Sequence, residues 1–249
     1  DDGSTDHTVD VLRERPWVRA IRQANAGPAA ARNVGWRASR APVVVFTDDD
    51  CRPASGWPTA LLGDLDAAGS ERVGGIGGEI RAVEHSMLDR FVAVERLVDH
   101  GRDLPDGGVD YLVTANAAFR RAALEEVGGF DEAFPAPAAE DVDLSWRMRS
   151  AGWGLRRSSA GIAHEHRTSV LDVLRTYRKH GAGRAVLDAR HPDRTAAAAV
   201  GSAVGASAWR ERYRSHRRSG APRAAAVALL GLRAAGLAVF GWGLLRGRR

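Results

Sequence analysis

The stretch Val43-Val44-Val45-Phe46-Thr47-Asp48-Asp49-Asp50 decides the fold of this chain of 249 residues. Its four consecutive apolar residues predict a fully buried strand, and three adjacent carboxylates follow it. In open α/β sheets, ligands bind beside the carboxyl ends of the strands. Carboxylates placed there repel one another unless a cation or hydrogen-bond donors compensate their charge. The stretch therefore predicts an α/β sheet with an acidic ligand site at one edge.

A divalent cation is the first interpretation of this acidic run. Asp48 and Asp50 point to the same side of an extended chain, so the pair could hold Mg²⁺ or Mn²⁺ together with phosphate oxygens and water. His164 or His166, which flank Glu165 after the last predicted strand, could add one metal ligand. The alternatives are an acidic turn in water for the aspartates and a solvent-facing side chain for each histidine.

Helices and strands alternate along the first two thirds of the chain. Apolar spacing, capping residues and prolines predict helices over 9–12, 28–39, 57–68, 86–100 and 140–151, and a short one near Leu124. They predict further strands over 18–22, 73–83 and 111–114. Ser4 or Thr5 would cap the first helix. This alternation predicts an α/β domain with a mainly parallel sheet.

A second acidic run, Glu140-Asp141-Val142-Asp143, begins one of the predicted helices. Acids in the first turn of a helix are ordinary caps, which accounts for at least one of the three. Glu140 and Asp141 also follow a Pro- and Ala-rich loop over 134–139. Such a loop could present a carboxylate to a bound substrate as a general base. Both interpretations stay open from the residues alone.

A third polar region lies near the beginning of the sequence. Asp1 and Asp2 stand at an apparent strand-to-helix turn, and the segments 25–28 and 31–33 form a polar, Gly-containing helix entry. Because the first N–H groups of a helix attract negative charge, this entry could meet an anionic or nucleotide ligand.

The charge of the chain is unevenly distributed. The formal net charge is +5, but residues 1–160 carry −7 and residues 161–249 carry +12. The net charge alone suggests a nucleic acid or an anionic membrane as partner, although codon bias can also explain why Lys179 is the only lysine. Cys51 is the only cysteine, which excludes an intrachain disulfide and fits a reducing compartment.

The basic part of the chain ends in an apolar segment. Residues 224–245 are long enough to span a bilayer, but Arg233 near the centre and four glycines bring the insertion free energy close to zero. Five arginines precede the segment: Arg210, Arg212, Arg214, Arg217 and Arg218. We expect this tail to meet anionic lipid, and the alternative is a helical hairpin that packs on the α/β part.

In their order and spacing, these segments resemble the inverting family 2 glycosyltransferases. The matching residues are 1–6, 25–28 with 31–33, 46–50 with Pro53, Asn116 with 119–121, 128–131 and 140–147. The resemblance implies a GT-A-type, Rossmann-like mixed α/β sheet flanked by helices over 1–168, followed by a helical tail over 169–249. Members of that family begin with a strand, a loop and a helix that this sequence lacks, so the domain is expected to be N-terminally truncated.

The resemblance also implies a role for each candidate residue. Asp141 would be the general base for the acceptor hydroxyl, supported by Glu140. Asp48 and Asp50 would form the DxD pair, with Asp48 toward the ribose and Asp50 on Mg²⁺ or Mn²⁺. Residues expected at the nucleotide are Asp1, Asp2, Asn25, Gly27, Arg32 and Asp48. Residues expected at the donor or acceptor are Asn116, Asp49 and Trp146.

The implied activity is metal-dependent transfer of a sugar from a nucleoside-diphosphate sugar to a hydroxyl of a glycan, lipid or polyketide-like acceptor. Its expected setting is cell-envelope glycan or glycolipid synthesis at the cytoplasmic face of a membrane, with no nucleic acid as partner. Two alternatives stay open: a nucleotidyltransferase of similar fold, and an inactive domain that binds a membrane or a polyanion.

Overall fold

A computed structural model describes residues 1–69, 72–95, 97, 99–134, 137–165, 169–194 and 206–247. The helices before the tail are α1 (Thr8–Arg13), α2 (Pro28–Ala38), α3 (Trp57–Ala67), α4 (Met87–Glu95), α5 (Arg121–Glu126) and α6 (Glu140–Ser150). The tail contains α7 (Val170–Arg190), a 3₁₀ turn (Pro192–Arg194), α8 (Ala206–Arg218) and α9 (Arg223–Gly247). The strands are β1 (Val43–Thr47), β2 (Cys51–Pro53), β3 (Val73–Gly77), β4 (Ile80–Ala82), β5 (Asn116–Arg120), β6 (Gly154–Arg157) and β7 (Ile162–His164).

The larger sheet is mixed, as the family resemblance implies, and the expectation of a mainly parallel sheet is wrong. Its order is β1-β5-β3-β6. The central strand β5 runs antiparallel to both β1 and β3, whereas β3 and β6 are parallel. Because β5 is inserted between two strands that run the other way, it breaks the parallel arrangement that alternating helices and strands suggest.

The small residues of β5 allow it to lie at the centre of the fold. Ala117 and Phe119 point into the cluster that contains Leu144 of α6, whereas Ala118 points into the opposite cluster that contains Leu61 of α3. This alternation is the two-residue period of a strand buried on both faces. β5 therefore joins the two halves of the core.

A second sheet of three short strands carries part of the site. Its order is β2-β7-β4, with β2 antiparallel and β4 parallel to β7. The strand predicted over 73–83 divides into β3 and β4, which belong to different sheets. The division falls at Gly78, where a Cβ would collide with the Ala160 carbonyl and the Asn116 amide.

Several local predictions differ from the structure. Residues 111–114 form no strand, and 18–22 run without a strand assignment, although the Asp1 N–H donates to the Ile21 carbonyl at 2.8 Å. β1 is half-buried rather than fully buried, because among the described strands it pairs with β5 alone. At α1, the Asp6 side chain accepts from the Thr8 N–H at 3.0 Å, so neither Ser4 nor Thr5 is the cap.

The tail packs on the α/β part of the chain. A hydrophobic cluster joins Phe91 of α4, Tyr177 of α7 and Leu229 of α9. The helices α7 and α9 approach closely, since a Cβ on Gly181 would strike the Phe240 backbone. The contacts agree with the hairpin interpretation of the tail.

The central arginine of α9 is buried within this packing. Arg233 forms a hydrogen-bonded ion pair with Glu95 at the end of α4, and His216 of α8 lies with its Nε2 3.4 Å from Glu95 Oε1. The outer side of α9 is apolar and exposed at Val227, Trp242 and Leu245. By its length and its mean hydropathy of 1.8, α9 meets the criteria for a helix that crosses a membrane. The charge of Arg233, which would oppose insertion, is neutralised by Glu95 inside the protein.

Candidate active site

The first acidic run turns away from the main sheet directly after β1. Asp48 is half-buried, with Oδ1 3.4 Å from the Arg32 guanidinium, and Asp49 is exposed. Asp50 faces the smaller sheet, where its Oδ1 lies 3.3 Å from Nε2 of His164. The run therefore divides, so that Asp48 and Asp50 contact different partners.

The surroundings of Asp50 fit a divalent cation. Its Oδ1 is buried and accepts no hydrogen bond from the described residues. Burial above all, and the charges of Asp48 and Asp49, raise the pKa of Asp50 against the opposing effect of His164. A carboxylate oxygen, the His164 imidazole and the Cys51 sulfur lie within 4.8 Å of one another, which is the donor set of a metal site. The structure thus brings together Asp50 and His164 of the predicted ligands, whereas His166 lies outside the described residues.

The second acidic run begins α6 immediately after Ala139, whose φ of 74° lies in the left-handed region. That conformation is costly for a residue with a Cβ and is found where surrounding structure imposes it, often at functional sites. It places Glu140 and Asp141 at one cavity. The local backbone is therefore arranged around these two carboxylates.

Asp141 differs from its neighbours in having no ion pair among the described residues. Its Oδ1 accepts from the Val142 N–H at 2.8 Å. Burial, followed by the charge of Glu140, raises the pKa of Asp141 to about 7, although Arg32 acts in the opposite direction. A carboxylate with this pKa can accept a proton near neutral pH.

Arg32 connects the two acidic runs. Its guanidinium donates to Glu140 Oε1 at 2.6 Å and approaches Asp48 Oδ1 at 3.4 Å. Glu140 and Asp48 are 92 residues apart in the chain, so the contact depends on the folded structure. Within the described residues, Arg32 makes its ion pairs with these acids and none with Asp1 or Asp2.

Asp143, the third acid of α6, holds the helix in place. Arg147 Nε lies 2.8 Å from Asp143 Oδ2, and His191 Nε2 lies 2.8 Å from Asp143 Oδ1. Arg147 also donates to the carbonyls of Val127 and Gly129. This acid therefore has a structural role, although it acts through side-chain contacts and not as a cap, since α6 has no side-chain hydrogen bond at its N-cap residue, Ala139.

A cavity of about 460 Å³ brings the acidic runs to the tail. One side of it contains Arg32, Asp48, Glu140 and Asp141, and the side formed by the tail contains His180, Arg184, Leu187 and Phe240. Asp99, Asp110, Tyr111 and Trp146 complete the polar and aromatic lining. A larger cavity of about 550 Å³ lies beside α1 and α2, where Asp1 is its one acidic lining residue, so we place the chemistry in the smaller cavity.

Four of the six residues expected at the nucleotide, Asp1, Asp2, Asn25 and Gly27, form a separate hydrogen-bonded cluster, whereas Arg32 and Asp48 line the cavity beside Glu140. Asp2 accepts from the Gln23 amide and from the N–H groups of Ala26 and Gly27 at 2.7–2.9 Å. The Asn25 amide donates to the Asp2 carbonyl at 3.0 Å, and Asp1 pairs with Arg22 at 3.4 Å. Gly27 precedes α2 with a φ of 93°, which favours glycine.

The three residues expected at the donor or acceptor lie in different environments. Trp146 lines the cavity, and its ring contacts His191 edge-on. Asp49 is exposed beside the DxD pair. Asn116 is fully buried, and its amide accepts from Trp57 while donating to the carbonyls of Glu79 and Ala160. All of its polar atoms are therefore used inside the fold.

Sequence reasoning missed two contributors to the site. Cys51 lies opposite His164 across the β2–β7 ladder, a pairing that no local pattern announces. His180 of α7 lines the cavity from the tail, and burial and Lys179 lower its pKa. The acids that follow β1 signalled that Cys51 lies near the ligand site, whereas His180 carried no such signal.

Sequence comparison relates the chain to known glycosyltransferases. The pattern of glycosyl transferase family 2 matches residues 1–128, and that of glycosyl transferase family 21 matches residues 79–179. A pre-mycofactocin glycosyltransferase of Mycobacterium tuberculosis is 37% identical over 180 residues, which cover 68% of this chain and 37% of the relative. Validoxylamine A glucosyltransferase of Streptomyces hygroscopicus subsp. jinggangensis is 30% identical over 72% of this chain and 52% of its own length.

Solved structures support the fold. A mannosyltransferase from Pyrobaculum calidifontis, in complex with GDP-Man and Mn²⁺, matches all of this chain and 77% of its own with a TM-score of 0.57 and 19% identity. GalNAc-T7 with UDP, GalNAc and Mn²⁺ matches 74% of this chain and 40% of its own with a TM-score of 0.53 and 17% identity. The expected GT-A-type α/β fold is thus confirmed. This chain is a member of glycosyltransferase family 2.

Proposed function

We propose that the protein transfers a sugar, with inversion, from a nucleoside-diphosphate sugar to an acceptor hydroxyl, with Asp141 as general base. The observation that carries the proposal is the position of Asp141. This unpaired carboxyl has a pKa of about 7 and shares a cavity with Asp48 and Arg32 of the nucleotide side.

The nucleotide would lie between the Asp1–Asp2 cluster and the end of β1. Asp2 is already oriented by three hydrogen bonds, and a carboxylate of this kind can accept from the N–H groups of a base. Asp50 and His164 would hold the divalent cation, Mg²⁺ or Mn²⁺. When bound, such a cation stabilises the negative charge that develops on the departing diphosphate.

Asp141 would act on the acceptor from the other end of the site. Its carboxylate takes the hydroxyl proton while the acceptor oxygen forms a bond to the anomeric carbon and the bond to the diphosphate breaks. Attack from the side opposite the leaving group inverts the configuration. Arg32 pairs with Glu140 and Asp48 beside the reacting carboxyl, whereas Asp141 has no ion pair among the described residues.

The acceptor would occupy the part of the cavity between Asp141 and the tail. Asp99, Asp110 and His180 offer hydrogen-bonding groups there, and Leu187 and Phe240 offer apolar contact. A hydroxyl-bearing molecule with both polar and apolar parts fits this lining, which includes glycan, lipid and polyketide-like acceptors. Synthesis of a cell-envelope glycan or glycolipid is the setting that we propose for the reaction.

The tail would associate the protein with the cytoplasmic face of a membrane. Arg210, Arg214, Arg217 and Arg218 of α8 are exposed and can attract anionic lipid. The outer side of α9 is apolar, and its arginine is neutralised within the protein. We propose contact with the lipid surface while α9 remains packed on α7. Co-flotation with anionic vesicles tests this, and protein that stays unbound at low salt would contradict it.

Release of nucleoside diphosphate from a panel of sugar nucleotides, with and without Mn²⁺ and with glycan or lipid acceptors, tests the transferase proposal. We expect Mn²⁺-dependent turnover that Asp141→Asn abolishes. Asp66→Asn, at an exposed site on α3, is the matched control and should retain the wild-type rate. Equal turnover in the wild type and Asp141→Asn would refute the assignment of the base.

A further inference from the structure

Cys51 lies where a third protein ligand to the cation would be. It faces His164 directly in the antiparallel register of β2 and β7. Residues paired in this way project from the same side of the ladder, with their Cβ atoms about 5 Å apart. The Glu165 N–H donates to the Asp50 carbonyl at 2.8 Å, which extends the ladder to the neighbouring carboxylate. The backbone thus fixes the relative positions of all three side chains.

The three side chains offer one carboxylate, one thiol and one imidazole, whose ligand atoms lie within 4.8 Å of one another. His164 is 6% exposed, and the Asp50 oxygen that faces it is buried without a hydrogen bond from the described residues. Asp48, in contrast, is directed to Arg32. The group is therefore compact, with His164 buried and Asp50 and Cys51 half-buried, and its donors differ from those of the Asp48–Asp50 pair.

The donor set distinguishes between kinds of cation. Mg²⁺ and Mn²⁺ prefer oxygen ligands, and an oxygen-rich diphosphate supplies them. Zn²⁺ and Co²⁺ accept thiolate and imidazole together, with tetrahedral geometry and three or four protein ligands. Sulfur is therefore a useful ligand only for the second kind.

We propose that Asp50, Cys51 and His164 form a three-ligand site for a thiophilic divalent cation such as Zn²⁺, in which the Cys51 sulfur binds the metal directly. On binding, the thiol proton passes to solvent, one sulfur–metal bond forms and no electrons are transferred. A water molecule fills the fourth position. The consequence, which rests on the proposed transferase function, is that Zn²⁺ competes with Mg²⁺ or Mn²⁺ for the site and inhibits sugar transfer.

Cobalt titration provides the direct test, because Co²⁺ replaces Zn²⁺ and reports its ligands in the absorption spectrum. Since Cys51 is the only cysteine of this 249-residue chain, any sulfur-to-cobalt charge-transfer band in the near ultraviolet must come from it. We expect this band in the wild type and its loss in Cys51→Ser. Zn²⁺ affinity, measured by competition with Co²⁺, should fall by about tenfold or more in the variant, while Mn²⁺ affinity changes little.

A second measurement needs no variant. Zn²⁺ should protect Cys51 of the wild type from alkylation, as followed by the mass of the intact protein, whereas Mg²⁺ should not. A wild-type spectrum without the charge-transfer band, or alkylation at equal rates with Zn²⁺ and Mg²⁺, would overturn the proposal. A cobalt–sulfur band in a protein that transfers no sugar would leave the metal site standing and refute the transferase function instead.

Discussion

The two acidic runs, 48–50 and 140–143, look alike in the sequence but occupy opposite environments. The first lies at the end of an edge strand, where Asp49 is exposed and Asp50 faces a histidine. The second begins a buried helix, where Glu140 and Asp143 are each paired with a cation. Two runs of acids that look alike in the sequence thus differ in the charged groups that the fold brings to them.

The difference extends to single residues within the second run. Asp141 lies between two paired acids yet has no ion pair of its own among the described residues, and its pKa is the one raised to about 7. A carboxyl whose pKa is raised to about 7 can exchange a proton near neutral pH. The fold therefore gives neighbouring acids different partners within a single turn of helix.

The largest expected effect comes from replacing two acids of α6, one in each of two variants: the proposed base Asp141 and the ion-paired Asp143. Asp141→Asn removes the base, so kcat should fall about 10³-fold, within the range found for general base catalysis. Asp143→Asn weakens the contacts with Arg147 and His191, so the variant should lose stability while kcat remains within about tenfold of the wild type. Steady-state kinetics and thermal unfolding of both variants provide the check. A larger loss of kcat in Asp143→Asn would reverse the comparison.

The next effect concerns stability. The pKa of Asp141 rises from 3.8 to about 7 on folding, so its neutral form favours the folded state. That stabilisation is complete below about pH 3.8 and is lost as the pH rises through about 7. Asp141→Asn stays neutral, so its Tm advantage over the wild type should grow from pH 4 to 7 and then level off. The shift corresponds to on the order of 2–4 kcal/mol.

The matched variant for this measurement lies outside both runs. Asp66→Asn removes an exposed charge on α3, and its Tm should follow that of the wild type at every pH. An Asp141→Asn advantage that is the same at pH 4 and pH 8 would show that the carboxyl does not titrate as the buried environment requires.

A smaller effect on kcat is expected from disturbing the contact between the tail and the loop that precedes the second acidic run. Gly183 of α7 touches the Ala138 carbonyl, so the methyl of Gly183→Ala would displace the loop before Glu140. We expect kcat to fall about 10–100-fold, because small displacements of catalytic groups are costly. Gly231→Ala on the exposed side of α9 meets no atom within 4 Å and should retain full activity. Equal kcat values in the two variants would separate the tail from the site.

The smallest effect is a change in pH dependence. Glu140→Gln removes a negative charge beside Asp141 and leaves Arg32 without that partner, and both changes lower the pKa of Asp141. The acidic limb of the kcat profile should therefore move about one pH unit downward. Glu125→Gln, exposed on α5, should leave the profile unchanged. An upward shift would contradict the assigned charges.

The sequence was sufficient for the parts of the site that are contiguous in the chain. The pattern of residues identifies the run after β1 and the run at the start of α6, and the helices predicted over 28–39, 57–68 and 140–151 are confirmed to within one residue at their ends. β5 was missed because Asn116-Ala117-Ala118-Phe119 has little β-branched character, whereas 111–114 does. Burial by neighbours on both faces, and not local propensity, makes β5 a strand.

Long-range contacts explain the remaining differences. The contact of Arg32 with Glu140 spans 108 residues, and that of Arg233 with Glu95 spans 138. An apolar helix with one central arginine has the same sequence whether that arginine is paired or exposed. Whether Arg233 has an ion-pair partner bears on the choice between the hairpin and the membrane interpretation of the tail. The sequence does not identify Glu95 as that partner, and the folded structure does.

The Glu95–Arg233 pair also limits how chimeras between members of this family can be built. Without α9, Glu95 would lose its ion pair with Arg233 and keep only the more distant Arg212 and His216 of α8, and the cavity would lose the Phe240 wall. A chimera that takes its final helices from another family member would therefore need the matching α4 as well. The tail depends on α4 for its packing and is therefore not an interchangeable segment.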